Sequence, residues 1–149
     1  FIQACETAYI CTMGRILSID FGMKRSGLAL SDPLKMIANG LDTVDSRELL
    51  DKVLELASSQ DVETVVIGHP KRMSGEDSAI ENNIQIFIQE LRKKTDTLNV
   101  DRMDERFTSK LALDSMIRAG STKKQRSDKG LIDKVSATLI LQEYLNQDR

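Results

Sequence analysis

The sequence predicts an α/β fold in which helices flank a mixed five-stranded sheet. Three short strand patterns follow one another near the start of the chain, and later strand patterns alternate with amphipathic helix patterns. Strands joined by short turns pair antiparallel, whereas strands joined through a helix pair parallel. We therefore expect the first three strands to be antiparallel and the later strands to be parallel.

The length of the chain limits its domain organisation. At 149 residues and 40% hydrophobic content, the chain is long enough to bury one core and short for two. Residues 1–12 lack periodicity, so we expect a leader or cloning remnant there, poorly ordered, with the alternative of a native arm. Residues 13–149 are expected to form a single domain.

The first three strands are predicted from short apolar runs that end in turn signals. The first covers residues 15–20 and ends at Asp20, before Phe21-Gly22. The second covers residues 27–30. The third, over residues 36–44, is the weakest because Asn39-Gly40 interrupts it.

The remaining elements alternate between helix and strand. A helix capped by Asp45 or Ser46 should run to Ser59, and a buried strand over residues 62–67 should end at Gly68-His69-Pro70. The later elements are expected in this order: a helix marked by Ile80, Ile84, Phe87, Ile88 and Leu91; a strand over 99–103; a helix from Thr108 to Gly120; a basic connection over 118–134; and a largely buried helix with apolar positions from Leu131 to Leu145.

Three acids are the candidate catalytic residues. Asp20 and Glu105 close predicted strands, and Asp133 lies early in the last helix. Ligands of α/β sheets gather beyond the carboxyl ends of strands, so these acids are plausible neighbours. Strand-end capping or a surface ion pair would equally explain Asp20 and Glu105.

Asp133 is the most informative acid because of its helical neighbours. It shares a predicted stripe with Ala137, Ile140 and Tyr144. An unpaired carboxylate buried on such a face is costly, so a metal, an arginine partner or a cleft is expected. Spacing leaves these three explanations open.

Carboxylates in this arrangement suit hydrolysis of a phosphodiester with divalent metal. Mg²⁺ or Mn²⁺ prefers oxygen ligands, and two ions can activate water and stabilise the leaving oxygen. His69, the only histidine, could act as a general base at the same rim, but a turn residue without a chemical role is the favoured explanation.

Cations follow the predicted strand ends and precede the last acid, which favours a phosphate ligand even though the net charge is −2. A solvated basic surface is the simpler alternative. Only 4% of the residues are aromatic, which argues against successive stacking of unpaired bases. The candidate nucleic-acid-binding residues are Lys24, Arg25, Lys71, Arg72, Arg106, Lys123, Lys124, Arg126 and Lys129.

The cellular compartment follows from cysteine usage and hydropathy. Cys5 and Cys11 both precede Met13, so a disulfide-stapled domain is not expected. The sequence has no apolar run near the roughly 20 residues that cross a bilayer. We therefore expect a cytoplasmic protein.

Five motifs together resemble the YqgF/RuvX proteins, small bacterial members of the ribonuclease H-like superfamily. The resemblance spans Met13 to Gln147. The matching segments are Ile19-Asp20-Phe21-Gly22, Gly27-Leu28-Ala29-Leu30-Ser31-Asp32-Pro33, Val65-Val66-Ile67-Gly68-His69-Pro70 with Met73-Ser74-Gly75, Asp104-Glu105-Arg106-Phe107-Thr108-Ser109, and Ile132-Asp133-Lys134-Val135-Ser136-Ala137-Thr138-Leu139-Ile140-Leu141-Gln142. Three positions depart from the family pattern: His69, Ser74 and Ser136.

This resemblance implies a ribonuclease H-like nuclease with Asp20, Glu105 and Asp133 as its metal-binding acids. Its implied substrate is the precursor of small-subunit (16S) ribosomal RNA. The family has also been labelled a Holliday junction resolvase, which is the alternative, and a non-catalytic RNA-binding module for ribosome assembly is a second one. A monomer or weak homodimer is expected, with ribosomal particles as further partners.

An actin-like ATPase or sugar kinase is the remaining alternative. Asp20-Phe21-Gly22 with Gly27 resembles the first phosphate loop of those proteins. They need a second lobe to close over the nucleotide, and 149 residues are too few for it.

Overall fold

The computed structural model describes residues 14–70, 75–105, 116–120 and 122–147. The predicted leader at residues 1–12 and most of the helix predicted from Thr108 lie outside these ranges. The strands are β1 (Arg15–Asp20), β2 (Arg25–Ser31), β3 (Ala38–Asp45), β4 (Val62–Pro70) and β5 (Asn99–Glu105). The helices are α1 (Leu49–Ser59), α2 (Gly75–Lys94), α3 (Lys123–Ser127) and α4 (Lys129–Gln147), and residues 116–118 are also helical.

The five strands form one mixed sheet in the order β3-β2-β1-β4-β5. β1, β2 and β3 pair antiparallel, whereas β4 is parallel to both β1 and β5. The predicted fold class is therefore confirmed. The carboxyl ends of β1, β4 and β5 consequently lie at the same edge of the sheet.

Alternation along β1 divides the core between the two faces of the sheet. Leu17 and Ile19 belong to the larger apolar cluster, which also contains residues of α1 and α2. Ile16 packs in the second cluster with residues of α4, and Ser18 donates a hydrogen bond of 2.5 Å to the carbonyl of Ala137 in α4. Side chains alternate between faces along a strand, so Asp20 shares the α4 face.

The backbone of α4 lies directly against β2 because β2 carries a glycine at the contact. A Cβ at Gly27 would lie 2.0 Å from the carbonyl oxygen of Asp133 and 2.8 Å from the backbone nitrogen of Lys134. Only glycine allows this close approach. The contact fixes the early part of α4 over the sheet.

The first helix begins later than predicted. Neither Asp45 nor Ser46 caps it: the carboxylate of Asp45 accepts hydrogen bonds from the backbone and guanidinium of Arg47, and the hydroxyl of Ser46 donates to the carbonyl of Gly22. Their side chains bond elsewhere, so α1 starts at Leu49 without a side-chain cap.

The fourth and fifth strands extend further than predicted. Gly68-His69-Pro70 was predicted to terminate a strand, but β4 includes these residues and pairs them with Met103, Asp104 and Glu105 of β5. Proline lacks a backbone donor, and its position as the last residue of β4 tolerates that loss. Glu105 is therefore the last residue of β5, which confirms that it closes this strand.

The basic connection predicted over residues 118–134 contains two helix starts. Thr122 caps α3 through a capping box with Gln125, and the Asp128 carboxylate accepts hydrogen bonds from the backbone N–H groups of Gly130 and Leu131. Each interaction satisfies backbone donors at a helix start. Within the described ranges, no helix has the length and apolar character needed to cross a lipid bilayer.

Candidate active site

Asp20 ends β1 at the carboxyl edge of the sheet. It is half-buried, and its register partner on β2 is Gly27. Residues that face each other across an antiparallel pair lie on the same face of the sheet. Asp20 therefore lies beside the position where α4 covers Gly27.

Asp133 is the fifth residue of α4. Its carbonyl oxygen covers Gly27, which faces Asp20 across the strand pair. Although they lie 113 positions apart in sequence, the two acids thus approach one residue of β2. This approach of Asp20 and Asp133 to Gly27 defines the candidate site.

An arginine partner accompanies the carboxylate of Asp133. Arg25 Nε donates to Asp133 Oδ2 at 3.2 Å, and the two side chains are 41% and 28% exposed. Ala137 and Ile140, on the same stripe of α4, are buried. Of the three explanations that the sequence left open, the structure provides the arginine partner.

Glu105 is the last residue of β5, and its backbone pairs with Pro70. Its side chain, like that of His69, lies outside the described part of the structure. Met103, two residues earlier, packs against α4, and Asp101 accepts a hydrogen bond of 2.8 Å from the Tyr144 hydroxyl of α4. Positions two apart on a strand share a face of the sheet, so position 105 is on the same face of β5 as positions 101 and 103.

Among the side chains that the structure describes, no group of three or more histidine, cysteine, aspartate or glutamate residues could hold a metal ion. The side chain of Glu105 is not among them. A pocket formed by Asp20, Glu105 and Asp133 therefore stays a prediction.

The predicted phosphate-binding cations are distributed unevenly around this edge. Lys24 and Arg25 are exposed at the start of β2, and Lys123 and Lys124 are exposed on α3. Arg126 lies on α3 and Lys129 begins α4, but their side chains are not described. Three further predicted positions lie outside the described residues: Lys71, Arg72 and Arg106.

A serine network that the sequence analysis missed holds the turn after Asp20. The hydroxyls of Ser26 and Ser46 lie 2.9 Å apart, and Ser46 donates to the carbonyl of Gly22 at 2.6 Å. Ser26 also accepts a 3.4 Å bond from the N–H of Gly22. Ser26 is a buried polar residue just before the apolar run of β2, and a serine at that position is the one signal in the sequence.

Two arginines stabilise the same edge through carboxylates. Arg102 bonds both oxygens of Glu81 at 2.9 Å and the carbonyls of Ile67 and Gly68 at 3.3 Å, which ties α2 to the end of β4. The guanidinium of Arg47 donates to Asp45 and holds the pKa of that carboxyl below its usual range. The Asp45 carboxylate therefore stays ionised at neutral pH.

Curated relatives resemble nearly the whole chain. A protein of Phocaeicola vulgatus is 47% identical over 137 residues, which cover 92% of this chain and 99% of that protein. A protein of Christiangramia forsetii is 49% identical over 133 residues, covering 89% and 98% respectively. Both are named, provisionally, pre-16S rRNA nucleases.

Solved structures share the fold at low sequence identity. The fowlpox virus resolvase, solved with Holliday junction DNA, has a TM-score of 0.59 at 14% identity and covers 89% of this chain and 97% of its own. RuvC of Thermus thermophilus, also solved with a junction substrate, has a TM-score of 0.58 at 16% identity, with 91% and 95% covered. These likenesses confirm the ribonuclease H-like fold.

The family comparison agrees with the relatives and with the fold. The sequence matches the RuvX family, described as Holliday junction resolvase, over residues 14–147. A match of this extent, together with relatives near half identity, shows that the chain belongs to the RuvX family.

Proposed function

We propose that this protein is a metal-dependent nuclease that hydrolyses phosphodiester bonds, with the 16S ribosomal RNA precursor as its substrate. The observation that carries the proposal is the approach of Asp20 and Asp133 to Gly27, at the sheet edge where β5 ends in Glu105. Residues 13–149 are proposed to act as one domain, in the cytoplasm.

The donors at this edge fit a hard divalent cation. Carboxylate oxygens are the ligands that Mg²⁺ and Mn²⁺ prefer, and protein carboxylates supply only part of the coordination sphere. When bound, two such ions would activate water and neutralise charge on the phosphoryl oxygens. Asp20, Glu105 and Asp133 are the residues proposed to hold them.

The chain itself supplies rigid placement of these acids. Asp20 is fixed by its strand and by the serine network that holds the following turn. Asp133 is fixed by the contact of its backbone with Gly27 and by Arg25. Preorganised ligands of this kind orient the scissile phosphate before reaction.

The exposed cations around the edge are proposed to bind the nucleic-acid backbone. Lys24 precedes Arg25 at the start of β2, and Lys123 and Lys124 lie on α3, which leads into α4 and Asp133. Contacts of this type position a duplex or structured strand without reading its sequence. RNA is proposed because the similar curated proteins are named after an RNA precursor.

Junction DNA is the second candidate substrate. The matched family is described as a junction resolvase, and both structural neighbours were solved with junction DNA. Resolution of a four-way junction requires paired cuts by two copies related by symmetry. RNA maturation has no such requirement, so the two candidates differ in the oligomer that they need.

A magnesium-dependent cleavage assay tests the proposal. Wild-type protein and Glu105→Gln are compared on 16S precursor RNA, four-way junction DNA and linear duplexes. We expect wild-type protein to cleave the precursor RNA and Glu105→Gln to lose at least about a hundredfold in rate, because a metal ligand is neutralised.

Three outcomes contradict parts of this proposal. Preferential cleavage of the junction would replace the RNA substrate by DNA. Equal rates for wild type and Glu105→Gln would remove Glu105 from the site. Binding of RNA without cleavage of any substrate would favour the non-catalytic assembly module.

A further inference from the structure

We propose that Arg25 bridges the candidate site and its substrate: Nε holds the carboxylate of Asp133 while the two terminal nitrogens contact a phosphate of the nucleic acid. This inference rests on the proposed function and adds a residue that couples a metal-binding acid to the substrate. It goes beyond the general expectation that Arg25 belongs to a basic surface.

The first step is the way in which Arg25 uses its donors. Its only side-chain hydrogen bond within the described part of the structure runs from Nε to Asp133 Oδ2, at 3.2 Å. The terminal nitrogens, which carry four of the five guanidinium N–H donors, have no bond to a described residue. With 41% of the side chain exposed, these donors are accessible to solvent and substrate.

The other paired arginines near this edge behave differently. Arg102 engages Nε and both terminal nitrogens with Glu81 and two carbonyls. Arg47 places Nε and one terminal nitrogen on Asp45. All three nitrogens of Arg102 and two of Arg47 thus bond protein groups, whereas Arg25 is held through Nε alone.

The position of Arg25 keeps the guanidinium at the candidate site. Arg25 opens β2, whose remaining residues are buried, and it lies two residues before Gly27. Residues two apart on a strand share a face, so Arg25 lies on the face that carries α4 and Asp20. A cation anchored on a rigid strand needs little further ordering when substrate binds.

A planar guanidinium suits this bridging role, and an ammonium does not. The Nε–H fixes the orientation of one carboxylate while the terminal N–H groups bond phosphate oxygens in the same plane. Lysine would preserve the charge but concentrates its donors at a single atom. Phosphate is the expected occupant because the proposed substrate is a phosphodiester and because Lys24 adds a neighbouring exposed cation.

The test compares Arg25→Lys and Arg25→Ala with the control Arg47→Ala. Arg47 is a matched control because its side chain is 90% exposed and its guanidinium is already paired with Asp45. Two quantities are measured: the affinity for precursor RNA in EDTA across a series of salt concentrations, and kcat with saturating Mg²⁺. The EDTA measurement needs neither metal nor cleavage.

We expect Arg25→Ala to weaken metal-free binding about fivefold and to lower the slope of log affinity against log salt by about one, because one phosphate contact is lost. Arg25→Lys should keep that slope while kcat falls about tenfold or more, because the carboxylate is no longer oriented. Arg47→Ala should match wild type within about twofold in both quantities.

Two results would overturn the inference. An Arg25→Ala protein with the wild-type salt slope would show that the terminal nitrogens contact no phosphate. An Arg25→Lys protein with wild-type kcat would show that the planar arrangement of the guanidinium donors is not needed. Absence of cleavage by wild-type protein would instead overturn the proposed function, and the EDTA measurement would still decide whether Arg25 contacts phosphate.

Discussion

Asp20→Asn is expected to lower the cleavage rate about a thousandfold, which corresponds to roughly 4 kcal/mol of lost transition-state stabilisation. The substitution preserves the shape of the side chain but removes the charge proposed to bind metal. The fold should persist because Asp20 is half-buried at a strand end, outside both apolar clusters. Single-turnover cleavage and thermal unfolding measure the two effects.

Asp32→Asn is a matched control for this substitution. Asp32 follows β2 at the opposite end of the sheet, and its Oδ1 accepts the backbone N–H groups of Met36 and Ile37 at 2.7 and 2.8 Å. The bond from Ile37 is the main reason why the pKa of Asp32 lies below its usual value. Asparagine keeps the acceptor oxygen, so we expect wild-type cleavage. Wild-type cleavage by purified Asp20→Asn protein would remove Asp20 from the mechanism.

Gly27→Ala is expected to destabilise the fold by about 3 kcal/mol and to abolish cleavage. The added Cβ would lie 2.0 Å from the carbonyl oxygen and 2.3 Å from the carbonyl carbon of Asp133. Both are backbone atoms of α4, so the helix must move away from the sheet to accommodate the methyl group. That movement would displace Asp133 from its position over Gly27.

Gly130→Ala provides the control for this prediction. A Cβ at Gly130 would meet only side-chain atoms, the nearest being Asp128 Oδ1 at 3.3 Å, and alanine favours helix. Its stability should change by less than about 1 kcal/mol. Chemical denaturation measures both variants. A Gly27→Ala protein as stable as wild type would show that α4 does not lie against β2 as described.

The relative directions of the strands were predictable because they depend on local patterns. Apolar runs, turn residues and intervening helices determine which strands pair antiparallel and which pair parallel. The same patterns placed Asp20 and Glu105 at strand ends, and the structure confirms those backbone positions. The predicted helix face containing Asp133 was also correct, since Ala137 and Ile140 on that face are buried.

Features that depend on contacts distant in sequence were not predictable. The pair between Arg25 and Asp133 joins residues 108 positions apart, and several explanations of the acid were equally consistent with its spacing. The predicted start of α1 was wrong because the side chains of Asp45 and Ser46 form hydrogen bonds with other partners. Local propensity does not reveal those partners. The capping box at Thr122 was a readable local signal that we missed.

Binding of Mn²⁺, measured by calorimetry without substrate, tests the central claim most directly. If Asp20, Glu105 and Asp133 form one pocket, then Asp20→Asn, Glu105→Gln and Asp133→Asn should each weaken binding by at least about tenfold, since each removes a charged ligand. Asp32→Asn should bind as wild type does. Wild-type affinity in any one of the three variants would show that its acid lies outside the pocket, and wild-type affinity in all three would contradict the account.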